Sequence, residues 1–131
     1  MADITIIRPD DMPNTFGPYR HGTVKNGLFF MAGQIPVDPD NPEAPLPETI
    51  EEQTEMVFKN IWRIFKAAGY GPEHVMSARV FLKNLPRDIG GMNTVYEKQF
   101  ISGREPVRTT IGVVALARDA LIEIDLVAYK D

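Results

Sequence analysis

Apolar and polar positions along the chain follow two rhythms, one with a period of two and one near 3.6, and the switches between them mark the elements. Ile4-Thr5-Ile6-Ile7 is a short strand-like run, stopped by Arg8-Pro9-Asp10-Asp11. Residues 9–18 carry three prolines and Gly17 and read as a loop. A strand starts near His21 and runs to Val24. Asn26-Gly27 then signals a tight hairpin, because both residues tolerate positive φ. Leu28-Phe29-Phe30-Met31-Ala32 is continuously apolar and reads as a buried central strand ending at Gly33-Gln34-Ile35-Pro36. Five prolines within residues 36–47 exclude helix and central strand there and predict a surface loop.

Thr49-Ile50-Glu51-Glu52 is a capping box, so a helix starts there. Ile50, Val57, Ile61, Ile64, Phe65 and Ala68 fall close to one of its faces, and Gly69 and Gly71-Pro72 stop it. Residues 75–83 alternate as a strand, with Met76, Ala78, Val80 and Leu82 on one side. Residues 84–88 read as a turn, and a second helix spans about 89–100, weakened by Gly90-Gly91. Strands follow at 107–114 and 121–129. The order β-β-β-α-β-α-β-β predicts a single α+β domain over residues 1–131, a mixed sheet with two helices on one face. On the last strand Ile122, Ile124, Leu126 and Ala128 point to the helices. Leu121, Glu123, Asp125, Val127 and Tyr129 point away, on a face too apolar to be simply wet and too acidic to be core. That face is expected to meet another subunit.

Composition narrows the partners. Among 131 residues, 44% are hydrophobic and 24% charged, an ordinary globular balance. A net charge of −4 disfavours nucleic acid, whose phosphates need a basic footprint. No long apolar run predicts a membrane span, and Met1-Ala2-Asp3-Ile4-Thr5 lacks a signal peptide's features, so a cytoplasmic location is expected. The absence of cysteine excludes disulfides and thiolate chemistry. His21 and His74 sit on separate segments and are not expected to form a metal site. His21 reads first as a surface histidine that could line a cleft.

Two residues carry the candidate chemistry. Arg108 stands just inside a strand, and arginine is the side chain best shaped to grip a carboxylate bidentately. Glu123 stands among Leu, Ile and Val, where its desolvation costs free energy unless its face meets water, a partner or a ligand. They read as a carboxylate clamp and a proton-handling group of one small site. The alternative is a partly exposed Arg108–Glu123 ion pair. Asp125 shares the face of Glu123, where it could raise the Glu123 pKa or pair with a partner subunit.

Gly17-Pro18-Tyr19, Asn26-Gly27-Leu28, Gly33-Gln34-Ile35-Pro36, Glu51-Glu52-Gln53-Thr54, Ala67-Ala68-Gly69, Val80-Phe81-Leu82, Asn93-Thr94-Val95-Tyr96, Pro106-Val107-Arg108 and Ile122-Glu123-Ile124 form a series. In order and spacing it resembles the RidA family (YjgF/YER057c/UK114) of reactive imine and enamine deaminases, from about residue 16 to 128. The resemblance implies a chorismate-mutase-like protomer and a homotrimer with sites in the clefts between subunits. It also implies hydrolysis of 2-imino or 2-enamino acids to 2-keto acids and ammonia without a cofactor. By position, Arg108 resembles the carboxylate-binding residue and Glu123 the group that positions water and moves protons. Tyr19, Asn93 and the Gly33 backbone resemble site-lining groups. Ala32 stands where many members have Ser, and Thr110, also expected to touch substrate, where many have Cys. Arg20 replaces a small or neutral residue and could hold a second carboxylate, as in the 2-aminomuconate deaminases that resemble this family. The competing readings are a non-catalytic trimer that binds a keto acid, and an RNA-cleaving protein. The acidic charge argues against the latter.

Overall fold

The computed structural model describes residues 3–131, and its architecture follows from one sheet and the two helices that cover one side of it. The strands are β1 (Thr5–Ile7), β2 (Gly22–Lys25), β3 (Leu28–Gln34), β4 (Val75–Leu82), β5 (Val107–Gly112) and β6 (Ile122–Tyr129). The helices are α1 (Ile50–Ala68) and α2 (Leu85–Tyr96). Spatial order is β1-β2-β3-β6-β4-β5, antiparallel except for the β4–β5 pair, which α2 connects as a parallel crossover. Among the described residues no helix is long and apolar enough to cross a membrane.

Local chemistry accounts for most boundaries. Asn26 and Gly27 take φ of 50° and 82° and close the β2–β3 hairpin. The Thr49 hydroxyl accepts from the Glu52 N–H at 3.1 Å, and Glu52 accepts in return from the Thr49 N–H at 3.3 Å. Gly69, at φ 80°, ends α1. The apolar face of α1 presses Val57, Phe58, Ile61, Ile64 and Phe65 onto Phe29, Val80, Leu82, Ile122, Ile124 and Leu126 of the sheet. The Phe29 ring sits 4.8 Å from that of Phe65.

Four expectations are corrected. Residues 84–88 are not a turn: Asn84 caps α2 by accepting from the Arg87 N–H, and Pro86 occupies its first turn, where a missing N–H costs nothing. The helix therefore starts earlier than residue 89 and ends at Tyr96, with the buried Phe100 lying past a short 3-10 turn. Gly91 is the point of contact with α1, where a Cβ would stand 2.7 Å from Ile50 Cγ2. On β4 a register shift between Val75 and Ser77 turns Val75 inward and leaves Met76 exposed. β3 is buried on one face only, because the helices cover one side: Phe29 and Met31 are enclosed, while Phe30 is 54% exposed. The proline-rich segment is not wholly superficial. Ile35 and Val37 form a small second core with Ala120, and the Asn60 amide of α1 donates to the carbonyls of both. Further out, Arg63 and Lys59 grip Asp40 and hold its carboxyl down at about 2.

Candidate active site

The uncovered face of the sheet carries the carboxylate. On β6, Ile122, Ile124 and Leu126 face the core, so Glu123 and Asp125 face away from the helices. Glu123 lies beside a break in the neighbouring strand: β3 shifts register between Met31 and Gln34, leaving Ala32 and Gly33 without a paired residue on β6. The Glu123 side chain occupies the space that opens. A Cβ on Gly33 would stand only 2.1 Å from Glu123 Oε2, so glycine is required for this approach. Burial pushes the Glu123 pKa up, and the negative Asp125 pushes it further. Asp125 itself pairs within the chain, accepting two hydrogen bonds from Arg79 at 3.0 and 2.6 Å.

Residues 12–19, from the loop before β2, arch over this spot and close a cavity of about 570 Å³. Met12, Phe16, Ile35 and Val37 give it apolar walls, while Tyr19, His21, Asn60, Arg118 and Glu123 supply its polar groups. The loop is held by the Thr15 hydroxyl, which donates to the Tyr19 carbonyl at 2.8 Å, and by the His21 ring, 2.9 Å from the Pro13 carbonyl. Such an enclosure can hold a small organic molecule against a carboxylate.

Arg108 is elsewhere. It pairs in register with Ala78, and Ala78 with Leu126, so its side chain lies on the helix side of the sheet. There its guanidinium donates to Asn93 Oδ1 at 2.7 Å and stacks 4.7 Å from the Tyr96 ring centroid. Burial raises the Tyr96 hydroxyl to about 12, leaving it neutral. Thr110 is on the same side of β5, two residues on. The structure thus brings Arg108, Asn93 and Thr110 together at one sheet edge, and Glu123, Gly33 and Tyr19 together in the cavity. Within one protomer it does not join the two groups. They are on opposite faces, two strand spacings and three residues apart, roughly 10 Å in each direction. Within one protomer the same geometry excludes the Arg108–Glu123 ion pair. Arg20 belongs to neither group: it is exposed in adjoining hollows, with no carboxylate within 4 Å among the described residues.

Asn60 and Arg118 are not among the expected lining residues, and His21 takes the second of its two readings, as a cleft residue. Asn60 occupies the apolar face of α1 and is 2% exposed, so a buried amide between Val57 and Ile61 was the available signal. His21 is half-buried in the cavity wall rather than superficial. Arg118 adopts a left-handed φ of 56° and donates to the Pro42 and Ala44 carbonyls. Nothing in its local sequence foretells that direction. Among the described residues no three His, Asp or Glu side chains gather as a metal site.

Known proteins are similar to this chain over nearly its whole length. The family model described as Endoribonuclease L-PSP matches residues 10–130. A RutC family protein of Saccharolobus solfataricus is 41% identical over 125 residues, covering 95% of this chain and 97% of its own. The crystal structure of Escherichia coli TdcF with bound serine superposes with a TM-score of 0.87 at 31% identity, covering 97% of this chain and 99% of that one. The yjgF gene product of E. coli gives 0.88 at 29% identity over 97% of this chain and 99% of its own. With a family model spanning residues 10–130, and relatives of this identity and coverage, the chain belongs to the RidA (YjgF/RutC) family.

Proposed function

We propose that this protein is a cofactor-independent deaminase of reactive 2-imino and 2-enamino acids, working as a homotrimer with its sites in the clefts between copies. The observation that carries the reading is the separation just described. A half-buried carboxylate faces a cavity on the uncovered side of the sheet, and a guanidinium suited to carboxylates stands at the exposed β5 edge. They can serve one small substrate only if a neighbouring copy brings its Arg108 to the cavity of the first. The uncovered face supports such packing, since Ile6, Phe30, Val107 and Ile111 are exposed on it, Val107 by 72%.

Arg108 would bind the substrate carboxylate bidentately, with Asn93 steadying the guanidinium and Thr110 beside it. An imine carbon is already electrophilic, so positioning and proton transfer suffice. As carboxylate, Glu123 takes a proton from the water whose oxygen bonds to C2 and passes it to the imine nitrogen, giving the carbinolamine. Glu123 then takes the carbinolamine hydroxyl proton and delivers it to nitrogen as the C–N bond breaks, leaving the 2-keto acid and ammonia. An enamine is first protonated at C3, giving an iminium that loses an N–H proton to become the same imine. The raised Glu123 pKa suits a group that must both accept and return a proton. The net charge of −4, with Glu123 and Asp125 beside the cavity, argues against a phosphodiester backbone as substrate.

The test generates imines in situ with an L-amino-acid oxidase in the presence of semicarbazide as trap. Added protein should divert the imine to keto acid and ammonia before it is trapped. An unchanged trapping rate at micromolar protein removes the deaminase reading, and a monomer at micromolar concentration in sedimentation removes the shared site.

A further inference from the structure

Two residues that line the cavity each carry a buried acceptor atom with no donor. The Asn60 nitrogen is fixed by the carbonyls of Ile35 and Val37, which can only accept, so the atom left over is Oδ1, buried and unpaired. The His21 Nε2 faces the Pro13 carbonyl and must carry a proton to bond with it. In the neutral ring that leaves Nδ1 as a bare acceptor, also buried and unpaired. Both residues line the cavity that holds Glu123. His21 flanks the bulge directly, its carbonyl accepting from the Ala32 N–H at 2.9 Å, and Asn60 lies beside Ile35, two residues beyond Gly33. Two residues of extended chain span roughly 7 Å, the length of a four- or five-atom side chain. Buried acceptors without partners are uncommon in folded proteins and cost free energy until a donor arrives. Arg118, the cation on this wall, is already spending N–H groups on Pro42 and Ala44.

We propose that this cavity selects a substrate whose side chain is uncharged and ends in N–H donors, a carboxamide, which the Asn60 Oδ1 and His21 Nδ1 acceptors recognise once a small turn of each side chain uncovers them to the cavity. An ammonium would bring an extra charge among Met12, Phe16, Ile35 and Val37, and a distal carboxylate would meet acceptors with an acceptor. The assignment rests on the deaminase reading for the reaction but not for the recognition.

The experiment compares three near-isosteric side chains: the imines made in situ from glutamine, methionine and glutamate, and separately the binding of the three matching 2-keto acids by calorimetry. The carboxamide should be preferred over both others by about tenfold or more in kcat/KM and in affinity, the scale set by leaving buried acceptors unpaired. His21→Phe keeps the ring shape and Asn60→Leu the volume. Each should bring the glutamine-to-methionine ratio toward one while methionine-derived imine is still turned over. A ratio, unlike a rate, is insensitive to partial loss of folded protein. Carboxamide-selective binding without turnover supports the proposal and sinks the deaminase reading. Turnover of all three without preference, or preference for methionine, shows that water or nothing fills these acceptors and overturns the proposal while the deaminase reading stands. Preference for the dicarboxylic imine overturns it in favour of a cation, and absence of both binding and turnover overturns both.

Discussion

The cavity around Glu123 and the β5 edge around Arg108 are opposite solutions to holding a functional side chain. Glu123 is held by what surrounds it: a bulged strand, a glycine without a Cβ to obstruct it, an arching loop, and an Asp125 locked onto Arg79. Arg108 is held by three contacts, the Asn93 amide, the Tyr96 ring and the Met92 sulfur, and is otherwise open to solvent. One half is enclosed and its pKa is perturbed; the other is exposed and presented. The difference teaches that the proposed site between copies would not be built equally from both. On the proposed function, the enclosed half would carry the proton chemistry, where partial desolvation matters, and the presented half the charge that a neighbour can dock.

The contrast can be broken at four points. The largest effect should come from Glu123→Gln, which keeps the shape and removes the base. Keto-acid release should fall about 10²–10⁴-fold with an unchanged circular dichroism spectrum. A loss below tenfold would take proton transfer away from the enclosed half. Next, Arg108→Ala should weaken kcat/KM by about 2–5 kcal/mol, and Arg108→Lys should recover part of it, since an ammonium keeps the charge but loses the fork. Coexpressing the Glu123→Gln and Arg108→Ala chains sharpens this. In randomly mixed trimers about a quarter of the clefts receive both native residues, so activity should return to about that fraction. Mixing without recovery would place both residues in separate sites.

Gly33→Ala ranks third. The new Cβ would collide with the end of a flexible side chain, so the fold should survive with a small shift in Tm, while displacement of the carboxylate by about 1 Å costs on the order of 10²-fold in rate. The smallest effect should follow Asp125→Asn. Activity needs Glu123 as carboxylate, so it falls as pH drops through the raised Glu123 pKa, above the ordinary value of 4.5. Removing the negative neighbour lowers that pKa and frees Arg79, so the acid limb of the kcat/KM profile should move to lower pH. Movement to higher pH would show that Asp125 does not act on Glu123 through charge.

Much of this was legible in the residues themselves, where short-range chemistry decides the outcome. The Thr49 capping box, the Asn26-Gly27 hairpin, the α1 stripe and the two-sided alternation of β6 involve neighbours within a few positions, and all formed as read. The start of α2 was legible too, in Asn84 followed by Pro86, and was misread because the glycines at 90 and 91 look like a weak helix start rather than a close helix contact. Met76 was misplaced because a bulge flips every residue on one side of it.

The sequence by itself determined the element order, the inward faces of α1 and β6, the pairing of family motifs with Arg108 and Glu123, and the absence of thiol chemistry. These depend on residue type and on periodicities that hold wherever the element ends up. Only the tertiary structure decided that Arg108 and Glu123 lie on opposite faces, that Asp125 belongs to Arg79, that Asn60, His21 and Arg118 share a cavity with Glu123, and that Arg20 does not. Those facts depend on strand order, on one irregularity in β3 and on how a loop crosses the sheet. Each is set by the sum of long-range packing terms, to which any single residue contributes too little for its neighbours in sequence to reveal.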